Sequence, residues 1–405
     1  MTSSLAGEVT DLQPGGVPVR PPTADPQPVR VQLVASGVYP PDFGGGQLRV
    51  HRTFLRMRNR FPMHVEILAF AGESTGPGSS EIDGIPVVRL PDSLRTLPLV
   101  WAIGRQMHRA RRQGIEVVYI ISTGRLAYLS GLMARWFRLP LVIEIVSCNL
   151  HDTKARQLAA GIHTRGANLS VAISQPVANE IRAFGVEDRR IWVRPNPVDI
   201  ERNRLPSNDE RRRERGARGY ATKDIVHLVA GALAPRKNQL FAIQAIERLG
   251  RAHHLLLVGP IWAEDPAYAE RLRERIDCSP ARDRIQLVDS FTEEMHRVMY
   301  AADCLWMPSL EEGLGNVMLE ALCCGVPCVI NRALGMDEHV QDGVNGRQAP
   351  LDPADWAEAV ESVIPLAHDP DSRRAISEAA QRRYNSADFD AEFYARIRAV
   401  AAARR

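Results

Sequence analysis

Lysine is nearly missing from this chain. Of its 51 basic residues, three are lysines (Lys154, Lys223, Lys237) and the rest are arginines. Long apolar runs are missing as well: none approaches the roughly eighteen residues that a membrane-spanning helix needs. The start, MTSSLAGEVTDLQPGG, has neither a basic cluster nor an apolar stretch, so a secretory leader is not expected. Both absences point to the cytoplasm. Cysteine is sparse, at six residues. Cys323, Cys324 and Cys328 form a tight trio, but no histidine or further cysteine lies at zinc-like spacing. Buried thiols acting as small hydrophobes suit that apolar corner better than a metal does.

What remains is a soluble globular composition, with 45% hydrophobic and 24% charged residues. A length of 405 residues exceeds one comfortable core and suggests two domains. The net charge of +3 conceals an asymmetry: residues 29–200 carry 22 Lys+Arg against 13 Asp+Glu, a net of +9, and residues 201–405 carry 28 against 32, a net of −4. Three basic segments, HRTFLRMRNRF (51–61), WAIGRQMHRARRQG (101–114) and RLAYLSGLMARWFRLP (125–140), mix arginine with Trp, Phe and Leu. Such segments suit an anionic membrane surface, or else form an ordinary solvated basic face. No nucleic-acid-binding motif accompanies the charge, so nucleic acid is not an expected partner.

Residues 1–28 are rich in Pro and Gly and read as a disordered tail. Apolar runs then alternate with helical patterns: VRVQLVAS, VEILAF, VVRL, VVYIIS, LVIEIV, LSVAIS and IWVRP. A polar, turn-rich stretch (195–220) suits an interdomain linker, and the pattern restarts with DIVHLVAG, HHLLLVG, RIQLVDS, DCLWMPS and PCVIN. Strands separated by helices predict an α/β protein of two doubly wound parallel sheets. Their strand C-termini would face each other across a cleft. The predicted domains are 29–200 and 201–375, with a terminal helix, 376–405, packing back on the first.

The strongest motif is SLEEGLGNVMLEALCCGVPCVI (309–330). It reads as the end of a strand, a Gly loop, a helix and a strand. A helix N-terminus then points its unpaired amides at an anion, flanked by Glu312 and Glu320, whose carboxylates suit sugar hydroxyls. An acidic residue near a helix start is also favourable by itself. Two further turns match it. Gly44, Gly45 and Gly46 precede a helical pattern after the first strand, as a phosphate cradle or a simple flexible loop. GALAPRKNQL places Lys237 at a strand-to-helix turn, where an ammonium suits a pyrophosphate. Asp369-Pro370-Asp371 and Asp388-Phe389-Asp390 have paired-acid spacing, but neither ends a strand, so no metal is expected there.

Together these residues resemble the retaining glycosyltransferases of family 4, which have the GT-B fold. The resemblance runs from about residue 30 to the C-terminus and centres on the Glu-x7-Glu signature. It implies that Glu312 contacts the donor sugar and acts in catalysis, and that Glu320 holds the ribose. Gly313 and Leu314 lie in the loop, and the amides of Gly315, Asn316 and Val317 would hold sugar and phosphate. Lys237 would bind the pyrophosphate, with the loop of Gly44, Gly45 and Gly46 closing from the other domain. Ala232 stands where the family usually has arginine, and Arg236 is the candidate substitute. The family's first-domain histidine falls near Val146 or Ser147, and His151 lies close by. The implied donor is a UDP- or GDP-linked sugar, with no metal cofactor. The implied acceptor is a glycan or a lipid-linked glycan intermediate in envelope or polysaccharide synthesis. The rivals are a nucleotide-sugar epimerase and a non-catalytic sugar-nucleotide-binding subunit.

Overall fold

The computed structural model describes residues 27–40, 45–72, 75–121, 124–146, 154–312, 314–332 and 335–403. The apolar runs of the first half form β1 (Val29–Ala35), β2 (Met63–Phe70), β4 (Ile85–Leu90), β5 (Val117–Ile121), β6 (Leu141–Ile145), β7 (Leu169–Ala172) and β8 (Ile191–Val193). β3 (Gly78–Ile82) adds an antiparallel edge to β4, and all other neighbours are parallel. The order is β3-β4-β2-β1-β5-β6-β7-β8. Helices cover both faces of this sheet, which is why its strands read as continuous apolar runs rather than alternating ones. They are α1 (Gly45–Arg60), α2 (Thr96–Arg112), α3 (Arg125–Trp136), α4 (Lys154–Arg165) and α5 (Gln175–Ala183).

The second sheet contains β9 (Ile225–Ala230), β10 (His253–Val258), β11 (Ile285–Val288), β12 (Cys304–Met307), β13 (Cys328–Asn331) and β14 (Gly346–Ala349). It is parallel throughout, in the order β11-β10-β9-β12-β13-β14. The direction of strand addition reverses between β9 and β12, and such a switch point is where open α/β sheets bind ligands. Its helices are α6 (Asn208–Gly216), α7 (Gln239–Ile246), α8 (Ala267–Asp277), α9 (Met295–Ala301), α10 (Asn316–Cys323), α11 (Pro353–His368) and α12 (Pro370–Tyr384). Cys323, Cys324 and Cys328 are buried in this core, and burial pushes the Cys323 thiol up to about 12.

The chain crosses between the domains twice, and the crossings are tied together. Val198 donates its amide to the Tyr384 carbonyl at 2.8 Å and accepts from Ser386 N at 3.0 Å. Beyond them α13 (Ser386–Ala402) lies on the first domain. Phe393 makes edge contacts with Phe54 and Tyr119, at centroid separations of 5.9 and 5.2 Å. Asp390 is fully buried and accepts from the Arg56 guanidinium, with Arg60 beside it.

Three local features differ from the sequence expectation, each for a physical reason. The edge strands β3 (GSSEI) and β14 (GRQA) lack apolar runs because an edge needs little burial. Part of the expected linker is α6, started by a capping box between Ser207 and Glu210. Its Arg211 and Arg215 grip the buried Asp303, so their charge is structural. The basic 51–61 segment is largely spoken for as well: Arg56 and Arg60 serve Asp390, and Arg58 donates to the Asp83 carbonyl.

Candidate functional site

β9 and β12, the two strands flanking the switch point, each release a turn at their C-terminal end. After β9, Gly231 takes a φ of +140° and packs against the β10 end, where a Cβ on Gly259 would overlap the Gly231 carbonyl. The chain then makes a single 3-10 turn (Pro235–Lys237), and Asn238 turns left-handed (φ 57°) into α7. This folds Lys237 back over Gly231, with Cε at 3.4 Å from where a Cβ would stand. After β12, the loop runs to Gly315, which caps α10 and sits so close to the Met307 methyl that a Cβ would push that side chain aside.

The two turns meet at an ion pair between Lys237 Nζ and Glu312 Oε1. Both side chains are shielded, at 13% and 9% exposure. Ser309 Oγ donates to the same carboxylate oxygen at 3.3 Å, and Asn331 Nδ2 fixes the Ser309 carbonyl at 3.1 Å. Leu310 N donates to the Arg236 carbonyl at 2.8 Å, which splices one turn to the other. A cation and a carboxylate that are seventy-five residues apart thus share one point at the mouth of the sheet.

α10 starts on that point. Its Met318 and Leu319 amides bond back to the Gly315 carbonyl, so the amides of Asn316 and Val317 begin the helix outside its own ladder. Together with the helix dipole they favour an anion there. Asn316 Oδ1 accepts from Asn196 Nδ2 of the crossing segment, and the buried Asn196 Oδ1 has no partner among the described residues. One turn on, burial pushes the Glu320 carboxyl up to about 7. Arg52 of α1 and Arg202 of the crossing segment act the other way, favouring the charge, while Asp199 opposes it. A buried carboxyl poised near neutrality, facing cations rather than bonded to them, is a candidate for a functional site.

The expected residues fall as follows. Glu312, Lys237, Leu314, Gly315, Asn316, Val317 and Glu320 share the mouth of the second sheet. Arg236 adjoins it, but its side chain is exposed and it serves the site through its carbonyl. Gly45 and Gly46 open α1. Gly44, His151 and Gly313 lie outside the described residues. Sequence reasoning missed Ser309, Asn331, Asn196, Arg202 and Arg52, because what places them is tertiary contact. Asn196, held between Pro195 and Pro197, carried the one local signal. Tyr39 and Glu293 were missed too: the Tyr39 hydroxyl donates to Glu293 at 2.6 Å across the cleft. Among the described residues no cluster of His, Cys, Asp or Glu could hold a metal ion.

Known proteins share both halves. Residues 43–202 match the model of "Glycosyltransferase Family 4" and residues 224–365 that of "Glycosyl transferases group 1", 160 and 142 residues, or 302 of the 405. A D-inositol 3-phosphate glycosyltransferase of Geodermatophilus obscurus is 28% identical over 225 residues, 50% of this chain and 45% of that protein. One from Mycobacterium sp. strain KMS is 30% identical over 180 residues, 42% of this chain and 39% of that one. The chain thus spans half the length or less of the curated relatives it matches. Among solved structures, Anabaena HepE in complex with UDP superposes with a TM-score of 0.78 at 20% identity, covering 92% of this chain and all of that one. A sucrose-phosphate synthase of Thermosynechococcus elongatus gives 0.76 at 17%, covering 93% and 100%. With the switch-point site of the second sheet, these matches make the chain a member of the family-4 type of glycosyltransferase, with the GT-B fold.

Proposed function

We propose that this protein transfers a sugar, with retention of configuration, from a nucleotide-sugar donor to a glycan or lipid-linked acceptor, and that the cleft face of the second domain is the donor site. The observation that carries the reading is the Lys237–Glu312 pair at the sheet switch point, beside the α10 N-terminus and the poised Glu320. Each group has a partner in the donor. Lys237 and the Asn316 and Val317 amides meet the diphosphate, Glu320 accepts from the ribose hydroxyls, and Glu312 accepts from the hydroxyls of the sugar. In the free protein Lys237 and Glu312 hold each other in place; the donor inserts between opposite charges already set for it.

Cleavage of the bond from the sugar's anomeric carbon to the diphosphate leaves negative charge on the departing oxygen. Lys237 and the helix amides stabilise that charge in a shielded site. The acceptor hydroxyl forms the new bond on the same face, and its proton leaves with the diphosphate. No metal is assigned a role, because the lysine and the amides supply the positive charge. The relatives named for a glycosyltransferase acting on D-inositol 3-phosphate, and the neighbour holding UDP, support a sugar nucleotide and make a UDP-linked donor the first to try. The acceptor belongs to the basic first domain, where a lipid-linked glycan would be met at an anionic surface.

A thermal-shift series over UDP, GDP, ADP and their sugar conjugates tests the donor, since a ligand raises stability by RT ln(1 + [L]/Kd). Stabilisation by one nucleotide series is expected; no response to any would remove the reading. Incubation with the sugar nucleotide alone separates the epimerase rival, which would convert the sugar without an acceptor. A binding-only subunit would respond in the thermal series and never release nucleotide.

A further inference from the structure

Ten large hydrophobic residues are exposed among the described residues, and six of them lie on three consecutive helices of the first domain. They are Leu97 and Trp101 on α2, Leu132 and Trp136 on α3, and Leu158 and Ile162 on α4. Each pair is four residues apart, so each forms one stripe on its helix. The helices lie side by side. His108 of α2 meets Phe137 just beyond α3 at 5.9 Å between ring centroids, and Tyr128 of α3 meets His163 of α4 at 5.2 Å. Trp101 and Trp136 are 65% and 78% exposed, where tryptophan ordinarily hides most of its surface.

The charge on this face is one-sided. α2, α3 and residues 157–165 of α4 carry seven arginines and no Asp or Glu, in a protein with 48 acidic residues; the acid at their margin, Asp92, pairs with Arg125. Arg105 lies over the Trp101 ring at 4.6 Å, a cation beside an aromatic anchor. Between α3 and α4 the face opens into a largely apolar hollow of about 150 Å³, lined among others by Tyr128, Leu132, Arg135, Ile162 and His163. Arg135 stands on its wall as the one cation, and His163 is buried, with its Nε2 lacking a partner among the described residues. Burial pulls that imidazole down to about 4, so the ring lines the hollow as a neutral group.

We infer that the α2–α3–α4 face docks the protein on an anionic lipid bilayer, with Trp101 and Trp136 seated at the headgroup level and the hollow receiving the end of a hydrocarbon chain. Aromatic and aliphatic anchors on helices that carry cations and no acids have the chemistry of an interfacial membrane surface. A second copy of the chain fits poorly, because a two-fold contact would bring two acid-free basic faces together. The inference also narrows the source of attraction: the basic 51–61 segment is engaged with α13, which leaves α2–α4 to meet the membrane. It rests on the reading of the acceptor as membrane-borne and is independent of the donor site.

The test is co-sedimentation of the full chain with vesicles of phosphatidylcholine, alone or mixed with phosphatidylglycerol. Binding is expected only with phosphatidylglycerol, falling steeply with salt, and about tenfold weaker in the Trp101→Ala/Trp136→Ala variant. Thermal shifts with the nucleotide, read on the same samples, should match the wild type, which separates loss of docking from loss of the donor site. Brominated lipids in anionic vesicles should also quench the wild-type tryptophan fluorescence, a readout needing no variant. Equal sedimentation of wild type and variant, absence of quenching, or a dimer in solution that the two substitutions dissolve would each overturn the inference.

Discussion

Glu320 offers the sharpest handle on the site, because its charge is in question near neutral pH. Its carboxyl titrates at about 7, raised by burial against the pull of Arg52 and Arg202. Ribose hydroxyls donate to a carboxylate, so the donor selects the ionised form. About one tenth of the protein carries that form at pH 6 and about nine tenths at pH 8, so donor affinity should fall about tenfold between pH 8 and pH 6. Calorimetric titration with a sugar nucleotide reads this directly; the sugar conjugate is the right ligand, because its diphosphate has no proton to lose in that range. Glu320→Gln should bind weakly and without pH dependence. The same carboxyl makes an opposite prediction for stability. Its folded pKa lies above the unfolded one, so the folded state binds the proton more tightly and the burial cost is largest above pH 7. Glu320→Gln should therefore raise Tm at pH 8 and leave it nearly unchanged at pH 4. If wild type and variant showed the same pH dependence of affinity, the ribose role of Glu320 would be refuted.

Other outcomes follow from the same geometry. Glu312→Ala should lower turnover about 100-fold or more while nucleoside diphosphate affinity changes little, because within the donor Glu312 meets the transferred sugar and not the diphosphate; steady-state rates and calorimetry on one preparation decide it. Asp390→Ala strands the Arg56 charge against the first domain and should cost about 3 kcal/mol in urea unfolding, with no such loss for an exposed acid such as Glu378. Acid should destabilise the second domain through His227 and His339, whose rings burial holds near 3. Their folded pKa lies below the unfolded one, so the stability they contribute is present above about pH 6.5 and drains away as pH falls toward 3. Tm measured from pH 7 to pH 4 should fall, and less steeply in His339→Gln.

The sequence carried the fold where burial leaves a local trace. Runs such as VVYII and LVIEI are apolar on both faces because helices cover both, and that pattern is visible without coordinates. β3 and β14 left none, being edge strands, and α6 hid within a run of charge whose Arg211 and Arg215 turn inward to Asp303. For the site, the motif around Glu312 and the rarity of lysine located the second-domain half. Their meeting was not legible, since Lys237 and Glu312 are joined only by the strand order β9-β12. The same holds for Asn196, Arg52 and Arg202, which reach the site across the domain boundary. The basic segments looked alike in sequence; packing divided them, engaging the arginines of α1 with Asp390 and leaving Trp101 and Trp136 bare.

The central claim is that the Lys237–Glu312 pair marks a nucleotide-sugar site, and donor titration of Lys237→Ala tests it most directly. Removing the ammonium should weaken sugar-nucleotide affinity about 100-fold, the cost of leaving a shielded diphosphate without its cation, while the free nucleoside binds as it does to the wild type. Wild-type affinity for the sugar nucleotide in a folded Lys237→Ala protein would contradict the account.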